Sequence, residues 1–104
     1  MEYILIDRLT VPANAKEEFI ERMNINRAII QKQPGFIRDE IFQPVDIKGD
    51  LIYVTMAIWK NEAALQMARE EVQAEYRREG FDLPAFCQQK GIKIERGIYH
   101  KLND

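Results

Sequence analysis

Cysteine and histidine are almost missing from this chain, which carries one of each, Cys87 and His100. A single thiol cannot close an internal disulfide, and one cysteine with one histidine supplies too few soft ligands for a structural zinc site. Long apolar runs are lacking too. No stretch approaches the roughly twenty residues of a membrane-spanning helix, and the first residues show none of the charged, apolar and small-residue segments of a signal peptide. Neither sign of charge dominates: 15 basic and 17 acidic residues leave a net charge of −2 with the signs interspersed, so the basic stripe of a nucleic-acid binder is absent. There is no dinucleotide glycine fingerprint, no phosphate loop and no two-histidine-one-carboxylate set, the usual handles for nicotinamide, flavin and non-haem iron. The expectation is a cytoplasmic protein with no metal, no cofactor, and neither nucleic acid nor membrane as partner.

What is present reads as an ordinary globular domain. The 104 residues, 46% hydrophobic and 31% charged, suffice for one domain over 1–104 with a single core but little surplus stability, so an intersubunit interface is a natural supplement. Tyr3 to Val11 is apolar apart from Asp7 and Arg8, and Pro12 closes it as a strand. Asn14 with Glu17 predicts a capping box opening a helix, along which Phe19, Met23, Asn26 and Ile30 recur at helical spacing until Pro34-Gly35. Strand character returns from Phe36 to Gln43 and from Leu51 to Trp59, with Lys48-Gly49-Asp50 as the turn between. Asn61 caps a second helix with an inner stripe of Ala64, Leu65, Ala68, Val72 and Tyr76, and Gly80 ends it. A short helical turn containing Pro84 is expected between Phe81 and Gly91, and a last strand from Ile92 to Leu102. Strand, helix, strand, strand, helix, strand is the ferredoxin-like plan: an α+β fold with a four-stranded antiparallel sheet and both helices on one face.

The strands carry a further message. A sheet with one wet face alternates apolar and polar residues, yet Tyr3-Ile4-Leu5-Ile6 and Leu51-Ile52-Tyr53-Val54 are apolar on both faces. Helices cover only one face, and the other would expose more apolar surface than a monomer usually tolerates. Two sheets packed face to face about a twofold axis would bury Ile4, Ile6, Ile52, Val54 and Met56, giving a homodimeric α+β barrel.

In element order, length, the Pro34-Gly35-Phe36 turn and the segment from Trp59 to Leu65, the whole chain resembles the antibiotic biosynthesis monooxygenase family of small dimeric α+β barrels. That resemblance implies a pocket between each subunit's helices and its own sheet, open to a small aromatic molecule, and a cofactor-independent oxygenase acting on anthrones or quinols. It also admits a relative that only binds a ligand or serves in stress, and a third reading, isomerisation or decomposition of a small metabolite. The haem-degrading branch fits poorly. Asp7-Arg8-Leu9-Thr10 resembles the stretch where those enzymes carry a catalytic Asn, but Asp stands here, and their helix-two Trp and axial His fall near Ala68 and Arg78.

Strand parity puts Tyr3, Leu5, Asp7 and Leu9 on one face, which the resemblance turns towards the helices. A carboxylate in an apolar pocket is costly unless paired, and burial would raise its pKa towards that of a base for a phenol proton. Asp7 is therefore a candidate catalytic base, or else one half of an ion pair with Arg96 or Arg27. Asn26, polar in the middle of an apolar stripe, needs a hydrogen-bond partner: a ligand, a backbone carbonyl or Asp7 itself. Asp7 and Asn26 are the catalytic candidates; Trp59, Tyr76, Ala68 and Arg96 are the substrate-binding ones. Trp59 reads first as core, as large aromatics usually are, with its indole able to floor a ligand site, and Ala64 and Ala68 leave space that is either pocket or close packing. Tyr53 and Tyr99 read as packing groups, Cys87 as a small buried hydrophobe, His100 as an exposed strand end. Glu70-Glu71 and Arg77-Arg78-Glu79 read as solvated helix charges.

Overall fold

Residues 1–46 and 48–102 are described by a computed structural model. Strand β1 (Tyr3–Val11) leads through a single 3-10 turn (Ala13–Ala15) into helix α1 (Lys16–Ile30). Strands β2 (Phe36–Phe42) and β3 (Leu51–Trp59) follow, then helix α2 (Glu62–Glu79), a short helix α3 (Leu83–Lys90) and strand β4 (Lys93–Tyr99). The sheet runs β2-β3-β1-β4, all neighbours antiparallel. It is open, with β2 and β4 as free edges, so a barrel is not formed within one chain.

The predicted capping box is not made. Pro12 starts the 3-10 turn, its carbonyl accepting from Ala15 N at 2.9 Å, and buried Ala15 rather than Asn14 occupies the cap position, with no side-chain cap. A small residue is needed there against the core, so Asn14 faces solvent, and Glu17 and Glu18 in the first turn complement the helix dipole instead. At α2 the sequence signals hold: Asn61 Oδ1 accepts from Ala64 N at 2.9 Å. Gly80 at φ 74° ends the helix in a Schellman arrangement, Phe81 N donating to the Tyr76 carbonyl at 2.9 Å. The expected turn after Phe81 is a two-turn helix, α3, capped by Asp82 and carrying Pro84 in its first turn, where a missing N–H costs nothing. β4 stops at Tyr99, short of the expected Leu102.

Register decides what faces what. On the helix side the rungs are Tyr3 with Trp59, Leu5 with Ala57 and Ile98, Asp7 with Thr55 and Arg96, Leu9 with Tyr53 and Ile94, and Val11 with Leu51. The buried apolar residues fall into two clusters. One gathers Leu9, Val11, Ala15, Phe19, Tyr53 and Ile92; the other gathers Ala57, Trp59, Ala64, Leu65 and Ala68. The Asp7 rung lies between them. On the opposite face Ile4, Ile6, Ile52, Val54 and Met56 share one side of β1 and β3, with Phe42 and Tyr99 about half exposed at the flanks.

The α1–β2 turn is the tightest junction. Gly35 adopts φ 82°, its carbonyl accepts from Lys60 N at 2.8 Å, and a Cβ at this position would lie 2.5 Å from Ala64 Cβ on α2. Both the left-handed backbone and the clash oppose any side chain. Gly35→Ala is expected to destabilise the fold by about 2 kcal/mol, read as a lower urea midpoint at unchanged slope; an unchanged midpoint would show that α2 is free to recede from this turn.

Candidate functional site

Between the two apolar clusters, and between α1, α2, α3 and the helix side of the sheet, lies a cavity of about 760 Å³. Its position follows from the rung pattern. Where neighbouring rungs place Leu or Tyr against the helices, the central one places Asp7, Thr55 and Arg96, and small Ala68 is among the α2 residues that border the cavity. Short side chains and a polar rung leave a space that no large apolar group fills.

Asp7 is 9% exposed. Its two oxygens accept from Arg96 Nε and Nη2, each at 2.8 Å, a bidentate pair across adjacent strands. Those hydrogen bonds hold the Arg96 guanidinium above its ordinary range, against the opposing effect of burial. Arg27, the alternative partner for Asp7, reaches instead from α1 to Asp39 on β2 at 2.6 Å, and Gln31 adds 3.2 Å. Burial alone would push the Asp39 carboxyl up, but these hydrogen bonds outweigh it and hold it below the usual range.

Asn26 meets neither a backbone carbonyl nor Asp7. Its Nδ2 donates to the Tyr76 hydroxyl at 3.3 Å, joining α1 to α2 across the cavity. Tyr76 packs edge-on against Phe81 at 5.1 Å between ring centroids. Arg22 on α1 lies 3.4 Å from the Phe81 centroid and 5.4 Å from that of Tyr76, and forms a two-pronged ion pair with Glu79, Nη2 to Oε1 being 2.9 Å. That pair holds Glu79 below the carboxylate range. Trp59, 1% exposed, borders the cavity and packs edge-on against Phe36 at 5.4 Å.

A profile of the antibiotic biosynthesis monooxygenase family matches residues 2–78. The chain belongs to the antibiotic biosynthesis monooxygenase family. Among solved structures it is similar to SnoaB, a cofactor-independent oxygenase from Streptomyces nogalater, at 27% identity and a TM-score of 0.70, covering 99% of this chain and 95% of that one. Two more distant structures share the fold. A conserved protein from Methanosarcina mazei Go1 has 18% identity and a TM-score of 0.76 over 98% and 94% of the two chains. A dimeric ferredoxin-like protein from an uncultured marine organism has 10% identity and a TM-score of 0.73 over 99% and 97%. No curated protein sequence matches the chain.

Within this family member, Asp7, Asn26, Trp59, Tyr76, Ala68 and Arg96 all border the one cavity. Cys87 also borders it, half-buried, with burial pushing its thiol up. Tyr53 lies in the core, while Tyr99 lies on the open face over Gly97, and His100 is exposed. The sequence gives no separate signal for Arg22, although it stands four positions before Asn26 and so on the same side of α1. Sequence reasoning took Arg77 for a solvated charge; Arg77 borders the cavity, whereas Arg78 turns outward to Glu71 and Glu75. Among the described residues no group of three or more His, Cys, Asp or Glu is placed to hold a metal ion, and no helix is long and apolar enough to cross a membrane.

Two outcomes test this geometry. Arg96→Leu strands the Asp7 carboxylate and is expected to cost about 2 kcal/mol, less than a fully buried pair because the Arg96 stem is part-exposed; adding Asp7→Leu should recover most of it. Recovery of nothing in the double variant, measured by urea unfolding, would remove the pair from its assigned place. The Arg27–Asp39 pair carries a pH signature. Because the Asp39 carboxyl is depressed in the folded state, its contribution is present above the unfolded value of about 3.9 and lost as pH falls through the lower folded value. Arg27→Gln should therefore narrow the stability gap between neutral and acid pH, and an unchanged profile would contradict this.

Proposed function

We propose that this chain is a cofactor-independent monooxygenase whose substrate is an aromatic phenol- or quinol-type small molecule bound between α1, α2 and the sheet. The observation that carries the reading is the Asp7–Arg96 pair on the wall of an apolar cavity large enough for fused rings. Each Asp7 oxygen accepts one hydrogen bond from Arg96 and keeps lone-pair capacity for a second, so the carboxylate takes the substrate's proton while the adjacent guanidinium steadies the resulting anion. Asn26 and Tyr76 orient the ring from the helix side. The electron-rich anion passes one electron to oxygen, the radical pair closes a carbon–oxygen bond, and the peroxide anion so formed takes back the proton held by Asp7 to become a hydroperoxide. Loss of water from the hydroperoxide leaves a carbonyl, so one oxygen atom enters product, the other becomes water, and the substrate supplies every electron. Similarity to SnoaB, itself a cofactor-independent oxygenase, supports this chemistry.

The same reading gives the protein a second copy as partner. Ile4, Ile6, Ile52, Val54 and Met56 form an apolar face that the helices leave uncovered, and one structural neighbour is a dimer. Paired sheets would complete an α+β barrel, and a cytoplasmic setting agrees with the lone half-buried thiol of Cys87. Val54→Asp should convert the dimer to a monomer in light scattering; a wild-type chain that is monomeric at all concentrations would refute the pairing.

One observation favours a second reading, ligand binding without turnover: both Asp7 oxygens are already engaged by Arg96, as in a structural ion pair. Oxygen uptake by metal-free protein over a panel of anthrones and quinols separates the two. The oxygenase reading expects uptake above the spontaneous rate and a loss of about 100-fold in Asp7→Asn. Saturable binding with no uptake across the panel would favour the binding module, and an Asp7→Asn variant with full activity would end the role of Asp7 as base.

A further inference from the structure

The sequence contains eight arginines, and six are committed to acids. Arg8 meets Glu95, Arg22 Glu79, Arg27 Asp39, Arg38 Glu40, Arg78 both Glu71 and Glu75, and Arg96 Asp7. The two with no ion-pair partner among the described residues are Arg69 and Arg77, and both border the cavity. They stand eight positions apart on α2 with Gln73, also on the cavity, midway between them. Spacing of i, i+4 and i+8 puts all three on one helical stripe about 12 Å long. Two acids that border the cavity bond elsewhere: Asp82 caps α3 through Ala85 N, and Glu70 accepts from Gln66 at 3.5 Å. Two unneutralised guanidinium forks at the edge of an apolar cavity form an anion-recognising rim.

We propose that Arg69 and Arg77 receive an acidic arm of the substrate, so that the ligand is an aromatic carboxylate. Its rings fill the apolar cavity, and its carboxylate sits at the α2 rim with Gln73 as a further donor. A singly charged group is indicated because Glu40, Glu70 and Asp82 also border the cavity and the chain as a whole is negative, which disfavours a multiply charged arm such as phosphate. This inference rests on reading the cavity as the substrate site, but it is independent of the oxidation: it concerns what the rim recognises and not what the Asp7 rung does.

Trp59 is the only tryptophan and borders the cavity, so quenching of its fluorescence reports occupancy. The probes are anthraquinone-2-carboxylate and its methyl ester, which differ in charge and hardly in shape. The free acid is expected to bind about tenfold more tightly than the ester at low salt. The gap should narrow at about 0.5 M sodium chloride as the exposed charges are screened. In the double variant Arg69→Gln, Arg77→Gln, acid and ester should bind alike. Equal affinities in the wild type, or a preference for the acid that survives in the double variant, would overturn the proposal. Absence of saturable quenching by either probe would overturn it together with the substrate-site reading. Because no turnover is measured, acid-selective binding without oxygen uptake would sink the oxygenase alone, and uptake on neutral quinols by a protein blind to the acid would sink this inference alone.

Discussion

The bidentate pair between Asp7 and Arg96 is the constraint around which the rest is arranged. A carboxylate turned into a core is tolerated only with its charge met and hydrogen-bonded, and the antiparallel register of β1 with β4 puts the Arg96 guanidinium directly opposite. The consequence is a core in two pieces. Leu9 and Tyr53 anchor one side of the polar rung, and Ala57 and Trp59 anchor the other, so the helices rest on two apolar supports with a gap between. Removing the charge pair would permit a continuous apolar core, and with it the loss of the cavity. A protein that leaves a space of this size in so small a domain forgoes packing stability there, as functional sites commonly do.

Specific contacts at the helix ends fix where α2 sits. Asn61 and the Schellman turn at Gly80 fix both termini of α2, and Gly35 lets the α1–β2 turn approach Ala64 closely. Ala64 and Ala68 then bring α2 down beside Trp59 without filling the space above Asp7. Across the opening, Arg22 ties α1 to the end of α2 through Glu79 and lies over Phe81, while Asn26 meets Tyr76 deeper in. The cavity is thus spanned by polar and cation–aromatic links between the two helices, contacts that set a distance without filling a volume.

Much of the fold was legible because the signals are local. β1 and β3 follow their apolar runs to the residue, Asn61 and Gly80 bound α2, and period-two parity put Asp7 on one face with Leu5 and Leu9, the face that the family resemblance turned towards the helices. The failures share a cause. The Asn14–Glu17 pattern satisfied a cap rule, but buried Ala15 took the cap position because packing against the core prevailed over a local hydrogen bond. Asn26 was recognised as needing a partner, yet Tyr76 is fifty positions away and no spacing rule connects them. Arg27 and Arg96 were equal candidates for Asp7 until register brought one opposite it and strand β2 carried Asp39 to the other. Arg77 and Arg78 look alike in sequence, and only the position of the cavity separates a rim group from a surface one.

The central claim is that the space beside the Asp7–Arg96 rung receives an aromatic substrate with its acidic oxygen against that pair. An anaerobic crystal structure with a bound anthrone tests it most directly. The account predicts ring density between the two apolar clusters, flanked by Asn26 and Tyr76, with the anthrone oxygen in hydrogen-bond range of Asp7 or Arg96. Density confined to the open face of the sheet, or a cavity closed by its own side chains with the ligand excluded, would contradict it.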